Sequence, residues 1–179
     1  MKLLLDTCVI YPTVMREMLL GVAKAGLFEP LWSARILEEW ARAARKIGPT
    51  GEVQARAEVA LLRAAWPKAE VVWRPSLEAR LYLPDAADVH VLAAAIDGHA
   101  DAIVTLNAKD FPKNTLAEEG LKRIAPDELL WQFWVDQPDL VTGVAEAVRA
   151  EASRLSGETW EMRPLLKKAR LPRLAKALR

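Results

Sequence analysis

The chain predicts an α/β protein: a small, largely parallel β-sheet flanked by helices, followed by an all-helical C-terminal extension. Three observations carry that prediction. Short apolar runs of strand length alternate with segments whose apolar residues recur at helical spacing, the pattern a parallel sheet requires. Residues 85–112, DAADVHVLAAAIDGHADAIVTLNAKDFP, contain such a helix-then-strand unit with acids at both ends. Beyond about Leu129 the helical period continues and no strand signal follows. The expected division is an α/β domain over residues 1–128 and a helical extension over 129–179.

Taken in order, Lys2 to Leu5 reads as a buried first strand that delivers Asp6 to its carboxyl end. Pro12 is placed to start a helix. Val14, Met15, Met18, Leu19 and Val22 form that helix's apolar stripe, and Gly26 is its stop. Leu27 to Trp32 reads as a strand, and Pro30 within it suggests an edge or an interruption. Ser33 is a good N-cap for a second helix. Its inward face is Ile36, Leu37, Trp40, Ala41 and Ala44, and Glu38 and Glu39 lie in its early turns.

A third helix is expected over Glu52 to Ala65, with Val53, Leu61 and Leu62 among its apolar positions, and a strand over Glu70 to Trp73. After Leu83-Pro84-Asp85, the residues Val89, Leu92, Ala93 and Ile96 make one buried helix face that Gly98 ends. Ala100 to Thr105 is a short buried strand. A short helix over Thr115 to Leu121 and a last strand over Lys122 to Ile124 complete the domain. Helices then start at Ala125-Pro126-Asp127-Glu128 and at Pro138-Asp139.

With 179 residues, 52% hydrophobic and 27% charged, the chain can bury a real core and has no disordered signature. A single cysteine, Cys8, excludes an internal disulfide and suits a reducing cytoplasm. One Cys and two separated His do not make a zinc site. The opening MKLLLD is too short for a signal peptide, so a cytoplasmic protein is expected. No P-loop, dinucleotide fingerprint or nucleophilic Ser or Cys motif is present.

The net charge of +1 conceals an asymmetry. Arg163, Lys167, Lys168, Arg170, Arg173, Lys176 and Arg179 occupy a tail without acids. That leaves eighteen basic against twenty-four acidic residues, a net of −6, in residues 1–161. A basic tail on an acidic body suits either a polyanion or the body's own acidic surface; a solvated helix face is the plainer alternative.

In open α/β sheets ligands bind outside the carboxyl ends of the strands. Asp6, Glu39, Asp85, Asp88 and Asp110 all fall where one such rim could collect them. Crowded carboxylates raise one another's pKa, and a divalent cation resolves that conflict. Hard oxygen donors favour Mg²⁺ or Mn²⁺, and such a centre suits phosphoryl chemistry. Each acid also has a plainer role: Asp85 and Asp88 as helix caps, Glu38 and Glu39 as solvated charges, Asp110 as a turn residue. Asp6 is the hardest to explain so, because a charge directly after a buried Leu-Leu-Leu run needs a partner.

The ordered set LLLDTCVI, SARILEEW, PDAADVHVLAAAI and ADAIVTLNAKDFP resembles a PIN domain, particularly the VapC-like toxin nucleases, over about residues 2–128. The resemblance implies an Mg²⁺- or Mn²⁺-dependent ribonuclease, leaving a 5′-phosphate. It makes Asp6 the first metal-binding acid and Glu39 the helix glutamate, with Glu38 as the register alternative. Asp88 is then the third acid, assisted by Asp85, and Thr105 matches the family's strand-end threonine. Many relatives carry Asp where this chain has Asn107. Asn107 still offers a neutral carbonyl oxygen, and Asp110 can replace the missing charge; a subset shares the T-x-N-x-x-D-F-P ending.

An acidic pocket repels RNA, so basic groups must hold the phosphates. The second helix offers Arg35, Arg42, Arg45 and Lys46, and the tail offers Lys167, Lys168, Arg170 and Arg173. The resemblance also implies a small antitoxin partner, for which the surface around Trp131 and Trp134 is a candidate, as it is for a homodimer. Two other readings compete. Asn107 keeps open an inactive PIN fold acting as a binding module. A haloacid-dehalogenase or receiver-type protein would also place Asp after the first strand, but the former's second Asp is replaced by Cys8.

Overall fold

A computed structural model describes residues 1–178; Arg179, the last cation of the tail, lies outside the described residues. In chain order the elements are β1 (Lys2–Leu5), α1 (Thr7–Ile10), α2 (Thr13–Lys24), β2 (Glu29–Ser33), α3 (Ala34–Ala43), α4 (Gly51–Ala65), β3 (Glu70–Val71) and α5 (Pro75–Arg80). They continue with α6 (Val89–Asp97), β4 (Ala102–Val104), α7 (Lys113–Glu118), β5 (Lys122–Ile124), α8 (Pro126–Asp136), α9 (Pro138–Ser156), α10 (Met162–Lys168) and α11 (Pro172–Ala177). The five strands form one sheet in the order β3-β2-β1-β4-β5. β1 pairs in parallel with β2 and β4, and β2 pairs in parallel with β3. The α/β class and the parallel sheet are therefore as the sequence predicts.

The chain divides into two compact units: Met1–Tyr11 with Glu29–Arg123, and Pro12–Phe28 with Ile124 onward. Sequence patterning expected a boundary near residue 128; the helical unit starts slightly earlier and also takes in residues 12–28.

In the sheet unit β1 is central, and Leu3, Leu4 and Leu5 are buried on both faces. That explains why the strand reads as a continuous apolar run without alternation. The register sets Leu5 beside Val104, so the chain following β1 and the chain following β4 emerge side by side at the carboxyl rim. Asp101 at the opposite end accepts the backbone N–H of Lys2 at 2.7 Å, the strand-entry role its position suggests.

Three local expectations need correction. Val53 and Leu61 are each 71% exposed, while Ala55, Val59 and Leu62 make the buried face of α4. The composition of that helix is too mixed for spacing alone to select its inner side. The strand over Glu70 to Trp73 is only two residues long, and α5 was not anticipated. α5 has six residues and buries only Leu77, which is too little for a periodic signal.

In the helical unit α2 packs on α9 and on α8. A Cβ at Gly21 would collide with Cγ1 of Val144, so the glycine is what lets α2 lie close to α9. Asp127 caps α11 by accepting the N–H groups of Arg173 (2.8 Å) and Leu174 (3.0 Å). Leu165, Leu166, Leu171 and Leu174 bury the apolar side of the tail. The tail is thus two short docked helices with their cations outward.

Candidate active site

Asp6 sits at the carboxyl end of β1 and is only 4% exposed. It N-caps α1, accepting the Thr7 N–H on Oδ1 at 2.8 Å. Its Oδ2 accepts the Thr105 hydroxyl at 2.8 Å and the Cys8 thiol at 3.3 Å. Thr105 is oriented in turn by the Asn107 N–H at 3.0 Å, and Cys8 by the Leu106 N–H at 3.4 Å. The buried charge demanded by the sequence is met in this way from two adjacent strand ends. Burial nevertheless pushes the Asp6 carboxyl above its ordinary range, against the lowering effect of Thr105, Cys8 and Thr7, and Glu39 adds repulsion. Burial, followed by the Asp6 charge, pushes the Cys8 thiol up to about 12. Cys8 is accordingly a neutral donor and not a nucleophile.

Ser33 caps α3 by accepting the Ile36 N–H at 3.1 Å, which fixes where the two glutamates fall. Neighbours on a helix point about 100° apart, and here they part company. Glu38 turns to solvent, where Arg56 (2.8 and 2.9 Å) and Arg42 (3.0 Å) bind it. Those arginines, Arg56 above all, draw its carboxyl down to about 2. Glu39 turns the other way. Its Oε2 accepts the Thr7 hydroxyl at 2.7 Å, and its Oε1 lies 2.7 Å from His90 Nε2. Burial would raise the Glu39 carboxyl, but contacts with His90 and Thr7, then the charge of Arg35, hold it below its ordinary value.

The third group lies before α6. Asp85 caps the 3-10 turn Ala86–Asp88 by accepting the Ala87 N–H at 2.9 Å. Asp88 caps nothing with its side chain, although it immediately precedes α6. Carboxylate oxygens of Asp85, Asp88 and Asp110 all lie within 4.8 Å of one another. Burial first, then repulsion from Asp6, Asp85 and Asp110, pushes the Asp88 carboxyl up to about 6. Asp88 therefore feels both the Asp6 group and this trio. Asn107 is exposed, and its side chain does not cap the 3-10 turn Ala108–Asp110.

The donors at this rim are hard oxygens, and the raised Asp88 marks negative charge that the protein itself leaves uncompensated. Both features fit a hard divalent cation. Asp85, Asp88 and Asp110 are drawn directly together, whereas Asp6 and Glu39 fall outside that group; Asp6 repels Asp88, and Glu39 repels Asp6. Glu38 is directed away. Thr7, Cys8 and His90 were not singled out as site residues from sequence. The available signals were a hydroxyl directly after Asp6 and one polar residue inside the apolar run VHVLAAA.

Among the proposed phosphate-binding groups, Arg42 is engaged by Glu38, and Arg35 lies 3.4 Å from Glu78 and 3.9 Å from Glu39. In the helical unit Lys167, Lys168, Arg170 and Arg173 are all exposed. Lys168 lies 5.0 Å above the Trp160 ring and Arg173 3.6 Å above that of Trp131. The Trp131 ring is thus covered on one side by a cation of its own chain.

A parallel sheet with a cluster of carboxylates at its carboxyl rim defines an α/β protein whose acids could hold a metal ion. The profile of the PIN domain family matches residues 2–109, and the chain belongs to that family. It is also similar to a Mycobacterium tuberculosis protein named "Putative ribonuclease VapC50", with 43% identity over 61 residues, 34% of each chain. The match therefore spans about a third of that relative's length. No solved structure matches the chain significantly. No helix among the described residues is long and apolar enough to cross a membrane.

Proposed function

We propose that the protein is an Mg²⁺- or Mn²⁺-dependent endoribonuclease and the toxin of a VapBC-type toxin–antitoxin pair. The observation that carries the reading is the meeting of Asp85, Asp88 and Asp110 at the carboxyl rim, their carboxylate oxygens within 4.8 Å of one another. Asp6, Glu39 and Asp88 would hold the metal, with Asp110, Asp85 and the Asn107 carbonyl oxygen available to complete its shell. A cation bound there would acidify a water and neutralise charge on the phosphodiester. Thr105 fixes the Asp6 carboxylate and the entry to the 107–110 turn. The electrostatics around Glu39 keep it ionised at neutral pH. A small antitoxin protein would silence the enzyme, and a homodimer is compatible with the same reading.

The test is incubation of the purified chain with mixed RNA in Mn²⁺ and in EDTA, with growth of a host expressing it as a second readout. Cleavage confined to Mn²⁺, together with arrested growth, is the expected result. No cleavage in Mn²⁺ would leave an inactive binding module. Cleavage without growth arrest would remove the toxin role alone.

The exposed cations of α10, α11 and the turn between them are the groups we assign to the RNA backbone. Replacing Lys167 and Arg170 with Gln is expected to weaken single-stranded RNA binding. The slope of log affinity against log salt should fall by roughly 0.7 for each phosphate contact removed. Fluorescence anisotropy across a salt series reads this directly; an unchanged slope would show that these two cations do not touch RNA.

A further inference from the structure

We propose that Thr7 and His90 form a clasp on Glu39, a hydroxyl donating to one carboxylate oxygen and an imidazole nitrogen closely approaching the other, that sets this side chain for the cation. The inference rests on the metal-site reading above and assigns two residues that serve it as positioning residues. The clasp joins three elements: Thr7 opens α1, Glu39 lies on α3 and His90 lies in α6. Thr7 Oγ1 donates to Oε2 at 2.7 Å, and His90 Nε2 lies 2.7 Å from Oε1. An ionised carboxylate has about four lone-pair positions, so one contact per oxygen leaves acceptor capacity on each. The side chain is held without being used up.

Both clasp residues are tied to other members of the site. The Thr7 N–H donates to Asp6 while its hydroxyl donates to Glu39, so one residue sets the spacing of two carboxylates on different elements. His90 stands two residues after Asp88 on the same helical segment. From the solvent side Arg35 lies 3.9 Å from Glu39, and Glu78 engages Arg35. Glu78 also accepts the Trp73 indole N–H at 2.8 Å, and the Trp73 ring lies 6.1 Å from that of His90.

A purely packing role accounts poorly for His90. It is 1% exposed, and it is the one polar residue in the buried run Val89–Ala95. Among the described residues its Nδ1 has no hydrogen-bond partner, and the Nε2 contact lies outside regular hydrogen-bond geometry. An imidazole buried on those terms costs stability that an apolar side chain would not. Its approach to Glu39 is what distinguishes this position from the Val, Leu and Ala around it.

The experiment is Mn²⁺ binding to the full chain, followed by calorimetry or by the electron paramagnetic resonance of free Mn²⁺, with metal-free melting as the fold control. Thr7→Val and His90→Phe are each expected to weaken Mn²⁺ binding by about tenfold or more, in the range usual for groups that orient a ligand. Thr7→Ser, which keeps the hydroxyl, should bind as the parent does. In a Glu39→Gln background the clasp substitutions should have little further effect, because they act through that carboxylate. Parent-like affinity in both Thr7→Val and His90→Phe overturns the clasp and leaves the metal site standing. Absence of Mn²⁺ binding by the parent overturns the metal site and the clasp with it. Should His90→Phe fail to fold, the Thr7→Val and Thr7→Ser pair decides alone.

Discussion

Asp6→Asn is expected to reduce Mn²⁺-dependent RNA cleavage by at least about 100-fold, beyond the loss usual for groups that merely orient a metal ligand, while the protein stays folded. The two halves of this expectation have separate causes. Asparagine is as good an N-cap as aspartate, so the Thr7 N–H at the start of α1 keeps an acceptor. With that carbonyl at the Oδ1 position, the amide NH2 takes the Oδ2 position, where the Thr105 hydroxyl can turn to accept from it. Burial already opposes the Asp6 charge, so removing it relieves the metal-free fold. Only the anionic donor is lost, and that donor is what a hard cation needs. Initial cleavage rates at saturating Mn²⁺, beside melting curves without metal, read both halves. Activity within tenfold of the parent would show that Asp6 does not carry the chemistry.

Asp88→Asn is expected to act in opposite directions on stability and on metal binding. The folded-state pKa of Asp88, about 6, lies above its ordinary value of 3.8, so the native state holds this proton more tightly than the unfolded chain does. The sign follows. With respect to this group the fold is undisturbed below about pH 4, loses stability as pH rises from about 4 to 6, and carries the full cost above that. A shift of this size corresponds to roughly 3 kcal/mol, which solvent screening of a half-buried carboxylate reduces to about 1–2 kcal/mol.

Metal-free Asp88→Asn should therefore be more stable than the parent by about 1–2 kcal/mol at pH 7.5 and indistinguishable from it near pH 4. Added Mn²⁺ should reverse the order. At a hundredfold excess over its dissociation constant the cation stabilises the parent by about 2.7 kcal/mol, and the variant by much less. Urea unfolding at both pH values, with and without Mn²⁺, checks each statement. If Asp88→Asn destabilised the metal-free protein at pH 7.5, the repulsion among Asp6, Asp85, Asp88 and Asp110 would not be a real cost of the fold.

Much of the architecture was legible from local pattern. The unbroken Leu3–Leu5 run announced a strand buried on both faces. Ser33 announced the start of α3, and the Val89–Ile96 spacing with Gly98 announced the extent of α6. These features are written in consecutive residues, because burial, capping and chain reversal each act within a few positions. By the same logic the sequence placed Asp6, Asp88 and Asp110 near strand and helix ends, and so proposed a shared rim.

What the local pattern could not decide was direction and partnership. Glu38 and Glu39 are equivalent in spacing arguments. Only the position of Arg56 on α4 and of Thr7 and His90 on two other elements sends one outward and the other inward. The exposed face of α4, the short α5, and the fit of Gly21 against Val144 were hidden for the same reason. The sequence by itself determined which segments are buried and which ends carry charge. The tertiary structure alone decided which carboxylates share a space and what holds them, because those contacts join residues tens of positions apart.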